Sequence, residues 1–401
     1  MSRRSGEFFL ILRAKLKNTI IMTAKNYSGS AFSDTKPHYD ILDGLRGVAA
    51  LVVILYHVFE CFDWSPAPRG YLAVDFFFVL SGFVIGYAYD DRWTPSKGRE
   101  ALTTGDFFRR RLIRLHPMVV AGAVIGVVCF LIQGSVRWDG SQVGTSLVML
   151  ALLLNMFMIP LFPEMEADVR GNGEMFPLNG PNWSLFFEYI GNILYALLLR
   201  RLSAKILAVV AVVSGGILSY ISLREGYLGV GWTLADGGFW SGLVRMLFPY
   251  SVGLLMARLF RPMPIRHAFW WCGAVIVAVA CLPAVFPVLQ TGFFDALCAV
   301  AVFPLLVWMG ASEMSVGTAT KRVSRFLGDL SYPLYAVHYP LMYLFYARIG
   351  FEGDLVPIAK LGETWPEALA VALGSILLAW VCFRFYDLPL RQWIGSSIKK
   401  K

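Results

Sequence analysis

Charge is what this sequence lacks. Asp, Glu, Lys and Arg make up 16% of its 401 residues, where a soluble protein carries about 25%. Hydrophobic residues reach 57%, and mean hydropathy is +0.59. So little charge cannot cover a water-facing surface, so lipid must solvate most of the chain. That excludes a soluble enzyme, a nucleic-acid-binding module and a disordered scaffold. The six cysteines (Cys61, Cys129, Cys272, Cys281, Cys298, Cys382) include no CxxC pair; they read as reduced thiols, not as a disulfide or zinc framework. Walker, Rossmann and HExxH patterns are missing, as is the GxSxG elbow of many hydrolases, and no metal site is expected.

The formal net charge of +9 would suggest nucleic acid in a soluble protein. Here Lys and Arg cluster between apolar runs, which is the positive-inside bias of membrane proteins. Residues 1–40 hold seven Lys/Arg against three Asp/Glu. Their apolar run Phe8–Leu12 is too short for a signal-peptide core. The segment reads either as a basic amphipathic stretch on the inner leaflet or as a frayed cytoplasmic tail. The expected organisation is a basic tail at 1–40, a membrane domain at 41–391 and a second basic tail at 392–401.

Spanning helices need about 20 mainly apolar residues. Eleven stretches qualify as candidates: roughly 42–62, 71–90, 111–133, 143–161, 184–201, 205–223, 239–260, 268–288, 293–311, 331–349 and 366–389. No alternation of period two points to a β-barrel. Eleven alternating crossings would put acidic 162–182 inside and the Arg200/Arg201/Lys205 cluster outside, against the charge bias. One net crossing through 111–161 repairs both placements. The expected fold is therefore an all-α polytopic membrane protein of about ten transmembrane helices, with both termini cytoplasmic and a re-entrant or interfacial segment at 143–161. Irregular backbone at membrane depth must be buried in protein or line a cavity, so a cavity near that segment is expected.

Polar residues inside the apolar stretches are the candidate site, because lipid makes them costly and they usually face a bundle interior or a wet cavity. Arg46 and His57 are eleven residues apart, about three turns and 16 Å along one helix face. Arg46 reads as a snorkelling end residue or as an anion ligand; His57 reads as a packing histidine or as a proton acceptor near neutral pH. Asp75, about one turn into the second span, is a helix cap or a companion of His57. Ser184 and Glu188 share a face behind Pro181 and Trp183, with Glu188 expected near the level of His57, either as a boundary carboxylate or as the group that holds the imidazole. Arg111 and Arg114, three apart, present forked cations that suit phosphate, whereas Arg109 and Arg110 fit plain positive-inside charge. Tyr335 and His338 share a face beside Pro333 and Pro340, and Tyr332 lies close by; packing is the alternative for the tyrosines. Ser81-Gly82 reads as a small pair for close helix approach. Arg245 and Asp295 could pair with each other.

These residues together resemble the membrane acyltransferase-3 family, integral-membrane O-acyltransferases of bacterial glycans and lipids. Arg46 and His57 match its Arg/Lys, ten residues, His spacing. Gly70–Gly82 is similar to its second-helix signature, Arg111-Leu112-Ile113-Arg114 to its RxxR element, and Pro181-Asn182-Trp183-Ser184-Leu185 with Glu188 to its WSL…E element. Ser331-Tyr332-Pro333-Leu334-Tyr335 with His338 and Pro340 resembles its late SYxxY…HxP element. The likeness spans roughly 39–391. It departs at Asp387, where the family pattern has Glu. With no apolar stretch after 389, a stand-alone member without a fused extracytoplasmic domain is expected, in the bacterial inner membrane.

The resemblance implies a co-substrate, acetyl-CoA or another acyl-CoA, entering from the cytoplasm, and a glycan or lipid acceptor at or across the membrane, with no permanently bound cofactor. Arg46, Arg111, Arg114, Tyr332, Tyr335 and His338 are then expected to bind the donor. His57, Glu188, Asp75, Ser184 and Trp183 form the expected catalytic set: His57 as general base, Glu188 as its orienting carboxylate, and Trp183, Ser184 or Tyr335 as donors to the oxyanion. The rival readings are a transporter or flippase of a glycan and a polytopic sensor without chemistry. The transporter reading predicts broken helices in paired inverted halves, and no such repeat is visible.

Overall fold

The computed structural model describes residues 38–60, 62, 64–95, 100–283, 288–313, 316–349 and 361–399. Most of the expected basic tail at 1–40, Cys61, the acidic segment around 350–360 and the terminal Lys400 and Lys401 lie outside the described residues. His38–Arg391 form one compact unit. Among the described residues the elements are helices, with two isolated bridges, Val136 to Gln142 and Glu174 to Thr233, instead of strands. The protein is an all-α polytopic membrane fold.

The helices are α1 (Asp40–Phe59), α2 (Ala73–Tyr89), α3 (Thr104–Ile132), α4 (Thr145–Met156), α5 (Asn182–Leu197), α6 (Ala204–Glu225), α7 (Gly238–Leu259), α8 (Ala268–Cys281), α9 (Val288–Leu297), α10 (Phe303–Ser312), α11 (Thr318–Val337), α12 (Tyr339–Ile349), α13 (Leu361–Cys382) and α14 (Leu388–Lys399). Wide turns at Cys298–Val302 and Phe383–Asp387 join α9 to α10 and α13 to α14. Among the described residues, seven segments are long and apolar enough to cross a membrane: Asp40–Phe59, Gly70–Arg92, Thr104–Ile132, Ala204–Glu225, Ala235–Leu259, Gly292–Ser312 and Gly362–Ser396. The other three expected crossings are shorter or broken. Helix α5 has 16 residues and α8 has 14, and the tenth stretch is the pair α11 and α12.

Helix α4 has 12 residues, about 18 Å at 1.5 Å per residue, too short for a hydrocarbon core of about 30 Å. It does not span by itself, as the charge pattern required. Val148 and Ala151 pack with Val127 and Phe130 of α3, while Met149, Leu150 and Leu153 face outward. The loop after it turns back into the protein, burying Asp168, Arg170, Glu174 and Asn179. Asp168 holds that return by accepting from the backbone N–H groups of Arg170, Gly171 and Gly173.

Helix α1 lies between two apolar cores. Ile41, Leu45, Ala49 and Val52 join the first, with α2 and α7; Ala50, Ile54 and Val58 join the second, with α11 and α12. Close crossings make this possible. A Cβ on Gly47 would meet Leu327 at 2.4 Å, and one on Gly82 would meet the Tyr250 carbonyl at 2.1 Å, so backbones approach where only glycine fits. The Ser81-Gly82 pair therefore divides its work: Gly82 packs on α7, and Ser81 donates to Glu188 at 3.2 Å.

The break between α11 and α12 has a covalent cause. Pro340 has no N–H to offer the Ala336 carbonyl, its i−4 partner. The Asn179 side chain donates to that carbonyl at 2.8 Å instead. His338, at the break, is completely buried.

Candidate functional site

One cavity, about 750 Å³ including its open mouth, is lined by residues from α1, α2, α3, α5 and α11: Arg46, Ser81, Arg111, Arg114, Ser184, Glu188, Ser331, Tyr332 and Tyr335, with an apolar wall that includes Phe77, Phe78 and Leu80. Seven of the eleven residues expected in the site thus meet in one place. No residue of 143–161 lines this cavity; the short helix α4 packs on α3.

Three guanidinium groups face the cavity, each in a different state. Arg46 donates to the Ser331 hydroxyl at 2.7 Å and the Gly328 carbonyl at 3.1 Å, and lies 3.2 Å from Asp43. Arg111 pairs with Glu188 at 2.9 Å. Arg114 is exposed on the cavity wall, and no carboxylate stands within ion-pair distance of it among the described residues. Ser184 and Tyr335 share a hydrogen bond of 2.6 Å between their hydroxyls, and Tyr332 donates to the Leu115 carbonyl.

His57 stands outside this cavity but is joined to it by aromatic contacts. Its ring centroid is 5.5 Å from that of His338, which is 5.9 Å from Tyr335 in the cavity wall. Tyr339 meets the His57 ring edge-on at 4.6 Å.

The carboxylate at His57 is Glu60, whose Oε2 lies 2.9 Å from Nδ1. Tyr56 donates to the other oxygen at 3.3 Å, and Tyr346 donates to Oε2 at 3.3 Å and to the His57 carbonyl. This corrects the expected role of Glu188, which the structure gives to Arg111 and the cavity. Helix α5 starts at Asn182, itself buried with Trp183 and Ser184 beneath the returning loop. Glu188 lines the cavity beside Arg111 and does not meet His57. Glu60 was missed, although its spacing is a legible signal: residues three apart on a helix share a face.

Asp75 is also not beside His57. It forms a fully buried pair with Arg245 (2.8 Å), which also donates to the carbonyls of Val230 and Tyr71. Asp295 pairs with Arg69 at 2.8 Å and accepts from the Tyr71 hydroxyl at 2.7 Å. The suggested Arg245–Asp295 pair is thus replaced by two separate pairs. Trp183 lies against the Arg245 guanidinium, 5.2 Å from ring centroid to Cζ, and does not line the cavity. Asp387 is buried and pairs with Arg391.

A family model described as an acyltransferase domain, acyltransferase-3, matches residues 39–384. The chain belongs to the acyltransferase-3 family. Among relatives of this acyltransferase, the chain is 27% identical over 371 residues to "Acyltransferase MdmB" of Streptomyces mycarofaciens, covering 84% of this chain and 86% of that one. It is 33% identical over 184 residues to "Protein 2 in picA locus" of Rhizobium radiobacter, covering 44% of this chain and 91% of the relative. Against "O-acetyltransferase OatA" of Staphylococcus aureus strain NCTC 8325 / PS 47 it is 22% identical over 378 residues, which are 88% of this chain but only 57% of that protein. No solved structure matches the chain.

Proposed function

We propose that this multi-pass acyltransferase moves an acyl group, acetyl by default, from a CoA thioester to a hydroxyl of a glycan or lipid-linked acceptor, in the bacterial inner membrane with both termini cytoplasmic. The observation that carries this reading is the cavity. It gathers three guanidinium groups against one lining carboxylate, and among the described residues no carboxylate lies within ion-pair distance of Arg114. An excess of cations on a cavity wall favours a polyanion, and guanidinium forks suit phosphate oxygens. The apolar wall of Phe77, Phe78 and Leu80 suits the pantetheine arm and acyl chain.

The reaction assigned to the site is direct transfer. The acceptor oxygen attacks the thioester carbonyl carbon as Nε2 of His57 takes its proton. The C–S bond breaks, and the leaving thiolate recovers the proton from the imidazolium. Glu60 holds the imidazole through Nδ1 and stabilises its cation, the part a carboxylate plays beside a catalytic histidine. Ser184 or Tyr335 supplies a hydroxyl to the developing oxyanion. The arm reaches His57 past Tyr335 and His338.

The test supplies labelled acetyl-CoA to inverted vesicles. Incorporation into glycan or lipid is expected with the native protein; label accumulating without covalent change would instead favour a transporter. His57→Ala is expected to lower incorporation by about 10²–10⁴-fold, the usual weight of a general base, with the protein still inserted. Glu60→Gln should fall between the two. Full transfer by His57→Ala removes His57 from the chemistry.

A further inference from the structure

Among the described residues, nothing partners one buried nitrogen of His338. Its Nδ1 lies 3.0 Å from the carbonyl oxygens of both Leu334 and Tyr335. Carbonyls only accept, so Nδ1 carries the proton and Nε2 is a bare lone pair. That Nε2 makes no hydrogen bond, and the residue is 0% exposed. Buried polar groups are almost always satisfied, so an exception calls for a cause. The neighbouring Tyr335 hydroxyl is engaged with Ser184 and with the Pro181 carbonyl.

The same reasoning applies to His57. Its Nδ1 faces the Glu60 carboxylate at 2.9 Å, and a carboxylate only accepts, so neutral His57 also presents Nε2 as a lone pair. The two rings lie 5.5 Å apart between centroids, tilted by 34°. Two neighbouring rings are therefore each locked in the same tautomer by their own Nδ1 partner, and each leaves Nε2 as an acceptor. An arrangement of two acceptors is completed by a ligand with two adjacent donors.

We propose that His57 and His338 together receive a polyhydroxy acceptor. The reacting hydroxyl donates to Nε2 of His57, and a hydroxyl on the neighbouring carbon donates to Nε2 of His338. In the transfer step only the first of these protons moves, to His57; His338 keeps its hydrogen bond and stays neutral. His338 is then a substrate-binding residue that selects sugars with adjacent free hydroxyls over simple alcohols. This rests on the reading of His57 as the base.

Two variants separate this role from plain capping of the Leu334 and Tyr335 carbonyls. His338→Asn keeps a donor near the Nδ1 position but has nothing at Nε2. His338→Gln places an amide oxygen near Nε2. Each is expressed in cells of the native host lacking the gene. The ester released from the envelope by mild alkali is measured by mass spectrometry, and inserted protein by immunoblot, so no donor need be assumed. Per inserted molecule, His338→Asn is expected to lose about tenfold or more of the ester, the scale of one lost substrate hydrogen bond, with His338→Gln clearly above it. Should His338→Asn fail to insert, the Gln variant decides alone: retained ester supports the proposal, and loss overturns it. Ester that depends on the protein but is unchanged by His338→Asn, or lost equally in both variants, overturns the role of His338 and leaves the acyltransferase reading standing. If no ester depends on the native protein, both fall together.

Discussion

Two sets of arginines in this protein differ in their partners. Arg245 and Arg69 each meet a buried carboxylate, Asp75 and Asp295 at 2.8 Å in both cases, and both also donate to backbone carbonyls. These ions tie α2 to α7 and the turn before α2 to α9. Around the cavity, Arg111 has Glu188 and Arg46 has Asp43 and Ser331, but Arg114 faces the cavity alone among the described residues. Within a lipid-solvated bundle an ion is costly without a partner or a wet cavity to face. A paired charge of this kind positions helices, and one left over at a cavity wall is set for a ligand.

Substitutions can break that contrast. The largest effect is expected at the paired set. Arg245→Met leaves Asp75 buried without its ion, and losing one partner of such a pair costs about 3–5 kcal/mol. The detergent-solubilised protein should lose its thermal transition or show it many degrees lower, and adding Asp75→Asn should recover part of the loss. An unchanged transition in the single variant would place Arg245 among the unpaired arginines. At Arg114 the opposite pattern is expected. Arg114→Gln should leave the transition nearly in place, within about 0.5 kcal/mol, yet raise the KM for the acyl donor roughly ten- to a hundredfold, as a charged hydrogen bond of about 1.5–3 kcal/mol implies. A fallen transition with unchanged KM would make Arg114 structural.

The smallest expected effect is at Glu174, a carboxyl in the returning loop outside the spanning helices. Burial pushes its pKa from the ordinary 4.5 up to about 7, although the Tyr343 hydroxyl donates to it. The folded protein then holds a proton that the unfolded chain releases, so loop stability falls as pH rises from about 4.5 to about 7. Limited proteolysis within 157–181 should accelerate across that window in the native protein. In Glu174→Gln the rate should be flat. A pH dependence that survives the substitution assigns it to another group.

Much of this was legible in the residues. Each of the eleven apolar stretches contains a helix among the described residues, because lipid leaves a backbone no other way to satisfy its polar groups. The anomaly at 143–161 was visible as a conflict of loop charges and appears as a helix too short to span. Arg46, Arg111, Arg114, Ser184, Tyr332 and Tyr335 do line one cavity. The partners were less legible. Glu188 was assigned to His57 and Asp75 to the same neighbourhood, yet Glu188 belongs to Arg111 and Asp75 to Arg245. Depth counted from the ends of apolar runs misleads where a loop such as 157–181 folds back into the protein and the next helix starts buried.

Composition and periodicity alone determined that the chain lies in lipid, that it is helical, and which side chains lipid will not tolerate, because those follow from the solvation of each residue where it stands. Which carboxylate neutralises which guanidinium, that Glu60 rather than Glu188 holds His57, and that the Nε2 of His338 goes unpaired were decided only by the packed bundle. Pairing between helices depends on their rotation and depth relative to one another, and those are set by the sum of many close contacts, such as Gly47 on Leu327 and Gly82 on Tyr250, that no single segment encodes.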